Sequence, residues 1–190
     1  MKNIYHRFLK LKIDPKLDLD YVLEKGGKDA FLIEIPREKL NSELFEFFDE
    51  LGVQVRMCQA IYCSGQEKIH IHADDKKISD FAKINWTWGD PESELRWWSI
   101  EDESKLFICP TPDDLRPVIG DSYVCASEHN CKLLYSQNIT KPSLVNAGML
   151  HSVYNPSPIG RITLSLLIEK DNENIKFLDA VKIFEKVVEW

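Results

Sequence analysis

The chain has 190 residues, 44% hydrophobic and 29% charged, enough for one globular unit with its own core and outside the disordered and fibrous classes. Acidic residues outnumber basic ones 31 to 24, for a net charge of -7, the wrong sign for a surface that binds nucleic acid. That balance leaves room for a local basic pocket that takes a small anion.

The N-terminal run MKNIYHRFLKLKID is broken by charge every few residues, so no signal-peptide apolar region is expected. Residues 29–36 (DAFLIEIP) read as a strand closed by Pro36. Residues 37–51 read as an amphipathic helix, with Leu40, Leu44, Phe47, Phe48 and Leu51 at helical spacing and Gly52 as its stop. From there the texture turns to short segments rich in β-branched and aromatic residues, bounded by turn formers. They fall at 53–63, 67–73, 81–88, 95–100, 105–109, 121–126, 131–136, 143–147, 150–154 and 161–168. The tail, 175–190, reads as a second helix with Phe177, Leu178, Val181, Phe184 and Val188 in one stripe.

Many short strands at regular spacing imply a sandwich or barrel, and a jelly roll is one way such a chain avoids exposed edges. With no internal repeat and no Gly/Ser-rich linker, residues 1–190 are expected to form one domain. Its core is expected over 53–168, supported by the helices at 37–51 and 175–190. The longest stretch free of Asp, Glu, Lys and Arg, Pro142 to Gly160, holds three prolines, two asparagines and a histidine, so no membrane-spanning helix is expected. The five cysteines are odd in number and form no C-x-x-C pair, which suits unpaired thiols in a reducing cytoplasm.

Chemistry concentrates in Lys68-Ile69-His70-Ile71-His72-Ala73-Asp74. Side chains alternate along a strand, so His70, His72 and Asp74 share one face. An imidazole and a carboxylate two residues apart can reach one cation at about 2.0–2.2 Å. A facial iron site needs a further imidazole and then open positions. His129 lies in a polar turn, whereas His151 lies in a strand-like run, and His151 is the better third ligand. Ten residues later comes Arg161, with Thr163 on the same face. A buried arginine needs an anion, and its planar fork suits a carboxylate. The intervening Asn155–Gly160 segment is expected to turn the chain back antiparallel, so that both ends look into one cavity.

This ordered set resembles the Fe(II)/2-oxoglutarate-dependent oxygenases. The phrases KIHIHAD, KINWTWG and SLVNAGMLHSVYNPSPIGRITLSL are also similar to members carried by marine phages and bacteria. The resemblance covers about Lys68 to Ile168. It implies a mainly β fold, the double-stranded β-helix, with flanking helices. It implies His72, Asp74 and His151 as iron ligands, and Arg161 with Thr163 as the clamp on the distal carboxylate of 2-oxoglutarate. The cofactors so implied are Fe(II) and 2-oxoglutarate, in a dioxygenase whose small-molecule or peptidyl substrate the sequence does not reveal.

Two other readings stand beside it. His70-x-His72 with His151 and Asn155 is similar to a cupin metal site, but the glutamate of the first cupin motif is missing and Arg161 has no role there. The third is a jelly-roll binding protein whose polar residues only satisfy one another. Trp86 and Trp88 share a face and are expected in the core or its helical cover. That leaves Asn85 on the other face, able to meet the cosubstrate if it points inward. Cys125 and Cys131 are read as structural.

Overall fold

A computed structural model describes residues 3–26, 31–111 and 121–189 of the chain. It is mainly β, with two antiparallel sheets stacked as a jelly roll and helices against one of them. The strands are β1 (His6–Phe8), β2 (Phe31–Glu34), β3 (Gln54–Cys63), β4 (Lys68–Ala73), β5 (Ala82–Gly89), β6 (Glu94–Ile100) and β7 (Phe107–Pro110). They continue with β8 (Ser122–Ala126), β9 (Cys131–Asn138), β10 (Ser143–Asn146), β11 (His151–Tyr154), β12 (Arg161–Lys170) and β13 (Glu173–Asn174). The helices are α1 (Leu19–Gly26), α2 (Ser42–Glu50) and α3 (Phe177–Ile183). The larger sheet runs β1-β10-β5-β12-β3-β2, with β13 paired to β12, and the smaller runs β7-β8-β4-β11-β6-β9. No helix among the described residues is long and apolar enough to cross a membrane.

The alternation along β12 explains the layering. Ile162, Leu164, Leu166 and Ile168 are buried on the face that packs under α2 and α3, against Leu44, Phe48, Phe177 and Phe184. Arg161, Thr163 and Ser165 are buried too, but on the opposite face, toward the smaller sheet. β5 repeats the pattern: Ala82, Ile84 and Trp86 face the helices while Lys83 and Asn85 face inward. Both faces are thus covered, one by the helical apolar layer and one by a cavity into which β12 and β5 turn Arg161, Thr163, Ser165, Lys83 and Asn85.

Three expectations are corrected. Residues 37–51 are not one helix: Arg37–Lys39 form a short 3-10 turn, Leu40 is extended, and α2 begins only after Asn41. The Asn41 side chain accepts from the Glu43 N–H at 3.2 Å, and this cap sets the start. The tail helix ends at Ile183 rather than 190. The residues after it pair backbone with the N-terminal segment, through Lys10 N–H to Val187 O at 2.7 Å and Glu189 N–H to Phe8 O at 2.9 Å. Leu178, 44% exposed, lies off the buried stripe.

The third correction is topological. β11 and β12 are not a hairpin, because β11 belongs to the smaller sheet and β12 to the larger. The segment between them carries the chain across the sandwich. Buried Asn155 clamps the crossing, its Nδ2 donating to Ser64 O at 3.1 Å and Ile159 O at 2.8 Å. Gly89 (φ +106°) lies opposite Arg161, where a Cβ would come within 2.2 Å of Gly160 O, so only glycine allows the strands this close.

Candidate metal centre

β4 and β11 are neighbours, with His72 opposite His151 in register. Asp74 follows the end of β4, held by its N–H donating to Ala147 O at 3.2 Å. The three side chains converge: His72 Nε2 is 3.1 Å and His151 Nε2 3.7 Å from the same oxygen, Asp74 Oδ1. One ligand atom from each lies within 4.8 Å of the others.

The tautomers follow from backbone bonds. His72 Nδ1 donates to His70 O and His151 Nδ1 donates to Met149 O, both at 2.9 Å, because a carbonyl oxygen only accepts. In a neutral ring each Nε2 then carries its lone pair toward Asp74 Oδ1. Two lone pairs and a carboxylate oxygen facing one another repel unless a proton or a metal ion lies between them. The proton affinities bear this out. Burial works against a charged His72, yet the hydrogen bond and charge of Asp74 raise its pKa on balance. Burial pushes His151 down to about 4. Burial also disfavours ionised Asp74, but Lys83, His151 and His72 hold its carboxyl well below the usual range.

Lys83 completes the site from outside the set of residues that the motifs point to. It reaches across from β5 in the other sheet, its Nζ 2.8 Å from Asp74 Oδ2 and 3.2 Å from buried Gln59 Oε1. One Asp74 oxygen is therefore occupied by a cation and the other is turned to the imidazoles. The signal lies in the alternation of β5, where Lys83 has the inward parity of Asn85 and Thr87.

A cavity of about 640 Å³ between the sheets is lined by His72, Asp74, His151, Arg161, Asn85 and Thr163 among others. All six residues named from the sequence thus border one space. Arg161 is 2% exposed, and its Nε and Nη1 have no hydrogen-bond partner. Burial lowers its pKa to about 10. Asn85 Oδ1 is likewise buried and unpartnered. Thr163 Oγ1 lies 3.3 Å from Thr87 Oγ1.

The other histidines lie apart from this cluster. His129 is exposed in a short 3-10 turn, Glu128–Asn130. His6 is buried between Trp97 and Tyr135, which with Arg7 lowers its pKa to about 4 by desolvation first and charge second. His70 lines the cavity, but its Nε2 meets Tyr123 Oη at 3.2 Å. The tryptophans pack as core: Trp86 under the helices, Trp97 bonded to Asn146 O at 3.0 Å and Trp98 to Ser152 Oγ at 2.9 Å.

Fold and cluster together define a jelly-roll protein with two imidazoles and a carboxylate facing an arginine-bearing cavity. Its sequence matches no protein-family model and no curated protein. Among solved structures it is similar to HygX from Streptomyces hygroscopicus with nickel and 2-oxoglutarate bound (TM-score 0.45, 7% identity, 82% of this chain and 76% of that one). It is also similar to the viral collagen prolyl hydroxylase of Paramecium Bursaria Chlorella virus-1 in its 2OG complex (TM-score 0.41, 13% identity, 88% and 97% covered). A third is an oxalate oxidase in complex with the substrate analogue glycolate (TM-score 0.34, 14% identity, 76% and 56% covered).

Proposed function

We propose that this chain is a non-haem Fe(II)- and 2-oxoglutarate-dependent dioxygenase acting on a small-molecule or peptidyl substrate. The observation that carries the reading is the guanidinium of Arg161, buried with two unpartnered nitrogens in the cavity that the His72, Asp74 and His151 cluster also lines. A buried charge without a partner is costly, and a bound carboxylate removes the cost. The donor set fits iron as well: two imidazoles and one carboxylate suit a facial ferrous site with open positions.

In this reading His72, Asp74 and His151 hold the iron, and Arg161 with Thr163 and Asn85 holds the distal carboxylate of 2-oxoglutarate. When bound, the pair supplies oxygen activation coupled to oxidative decarboxylation of the cosubstrate. The protein's own contributions are geometric and electrostatic. The carbonyls of His70 and Met149 keep both imidazoles in the ligating tautomer. Lys83 restrains Asp74 to one free oxygen.

The position of His70 favours this reading over a cupin-like enzyme. Its ring lies 5.4 Å from that of His72 and its Nε2 is engaged by Tyr123, outside the cluster that Asp74 completes. An anaerobic titration with Fe(II) and then 2-oxoglutarate tests the proposal. A visible charge-transfer band should appear, and succinate should form when oxygen is admitted. His72→Ala or Asp74→Ala should abolish iron binding, and Arg161→Ala should keep iron but weaken the cosubstrate. No band, or unchanged cosubstrate affinity in Arg161→Ala, overturns it.

A further inference from the structure

A second group of ligand atoms converges at the β7-β8-β4 edge of the smaller sheet. Register sets Tyr123 opposite Cys109 and Cys125 opposite His72. Tyr123 and Cys125, two apart on β8, therefore share a face with Cys109, His72 and His70. One ligand atom each from His70, Cys109 and Cys125 lies within 4.8 Å of the others.

These donors differ in kind from the first cluster. Two thiols and an imidazole are soft or borderline ligands and carry no oxygen, the pattern that selects Zn²⁺ over alkaline-earth ions. Zinc held at about 2.3 Å from sulfur and 2.1 Å from nitrogen places its ligands roughly 3.7 Å apart. Closing to that spacing takes up to about an ångström of movement. His70 is exposed and Cys109 half-buried, so both can supply it, while fully buried Cys125 is the fixed point.

We propose that His70, Cys109 and Cys125 form a second metal site, suited to Zn²⁺ and separate from the His72, Asp74 and His151 cluster. The ion ties three strands together at a sheet edge. It also borders the cavity, because His70 and Tyr123 both line it. The site does not depend on the iron reading, since none of its ligands belongs to the first cluster.

The test uses Co²⁺ as a spectroscopic substitute for Zn²⁺, titrated into the metal-free 190-residue chain under reductant. The expected result is a sulfur-to-cobalt charge-transfer band in the near ultraviolet that saturates within two equivalents, since the His72, Asp74 and His151 cluster can take Co²⁺ without such a band, and is bleached by Zn²⁺. Cys109→Ser should lose most of that band. His70→Ala should weaken it. His72→Ala should retain it, even if it abolishes iron binding. Cys109 stands on a half-buried edge, so its serine variant should fold, as far-ultraviolet circular dichroism will verify. A wild-type protein without the sulfur band overturns the proposal, as does a band that persists in Cys109→Ser or vanishes in folded His72→Ala.

Discussion

Arg161→Met should make the ligand-free protein more stable, against the usual expectation for a fully buried residue. Burial lowers the guanidinium pKa from 12.5 to about 10. At about 1.4 kcal/mol per pKa unit, that is a strain of about 3 kcal/mol in the folded state. The group is charged in both folded and unfolded chains at neutral pH, so the cost is fully present there and is relieved only above about pH 10. Methionine is of similar length and needs no anion. In a chain of this size each kcal/mol moves the melting temperature by about 2–4 °C. Some packing is lost with the guanidinium, so the net rise should be several degrees. Melts followed by calorimetry, each with the same redox-inert divalent cation and with or without 2-oxoglutarate, separate the two roles. Wild type should gain stability from 2-oxoglutarate by mass action, and Arg161→Met should not. A lower ligand-free melting temperature in the variant, or an undiminished response to 2-oxoglutarate, would refute the reasoning.

Acid should destabilise the metal-free protein earlier than a typical carboxylate-driven profile. His151 has a folded pKa of about 4 against 6.5 unfolded, so the unfolded chain binds more protons between those values. Stability falls as pH drops through that window, by about 3 kcal/mol for His151 alone at about 1.4 kcal/mol per unit. His6, also at about 4, adds in the same direction. His72 is raised, so its contribution is present below pH 6.5 and is lost as pH climbs through its folded value. Urea unfolding of wild type and His151→Asn at several pH values measures this, and identical slopes would remove His151 as the cause. Lys83→Met should cost about 1–3 kcal/mol, because it leaves the half-buried Asp74 carboxylate without its cation. The double variant with Asp74→Asn should recover much of that loss in denaturant titrations, and simple additivity would show that the pair is not coupled.

Periodicity made much of the fold legible. The alternation of Ile162, Leu164, Leu166 and Ile168 with Arg161, Thr163 and Ser165 is a property of pleated backbone, so both faces of β12 could be read before their neighbours were known. The inward parity of Asn85 followed from that of Trp86 in the same way. Short or late elements were less legible. β1 is three residues long, and the tail after Ile183 takes its backbone partners from residues 8–10, which no local pattern encodes.

Sequence alone determined which residue types stood two apart on each strand, and so which imidazoles and carboxylate were available together. Only the tertiary structure decided that β11 and β12 lie in opposing sheets, so that His151 and Arg161 line one cavity from its two walls. It also decided that Lys83 reaches Asp74 across the sandwich and that Cys109 and Cys125 come to rest beside His70. The physical reason is that facing is a local consequence of backbone geometry. Neighbourhood depends instead on hydrogen-bond pairing and sheet stacking between segments far apart along the chain.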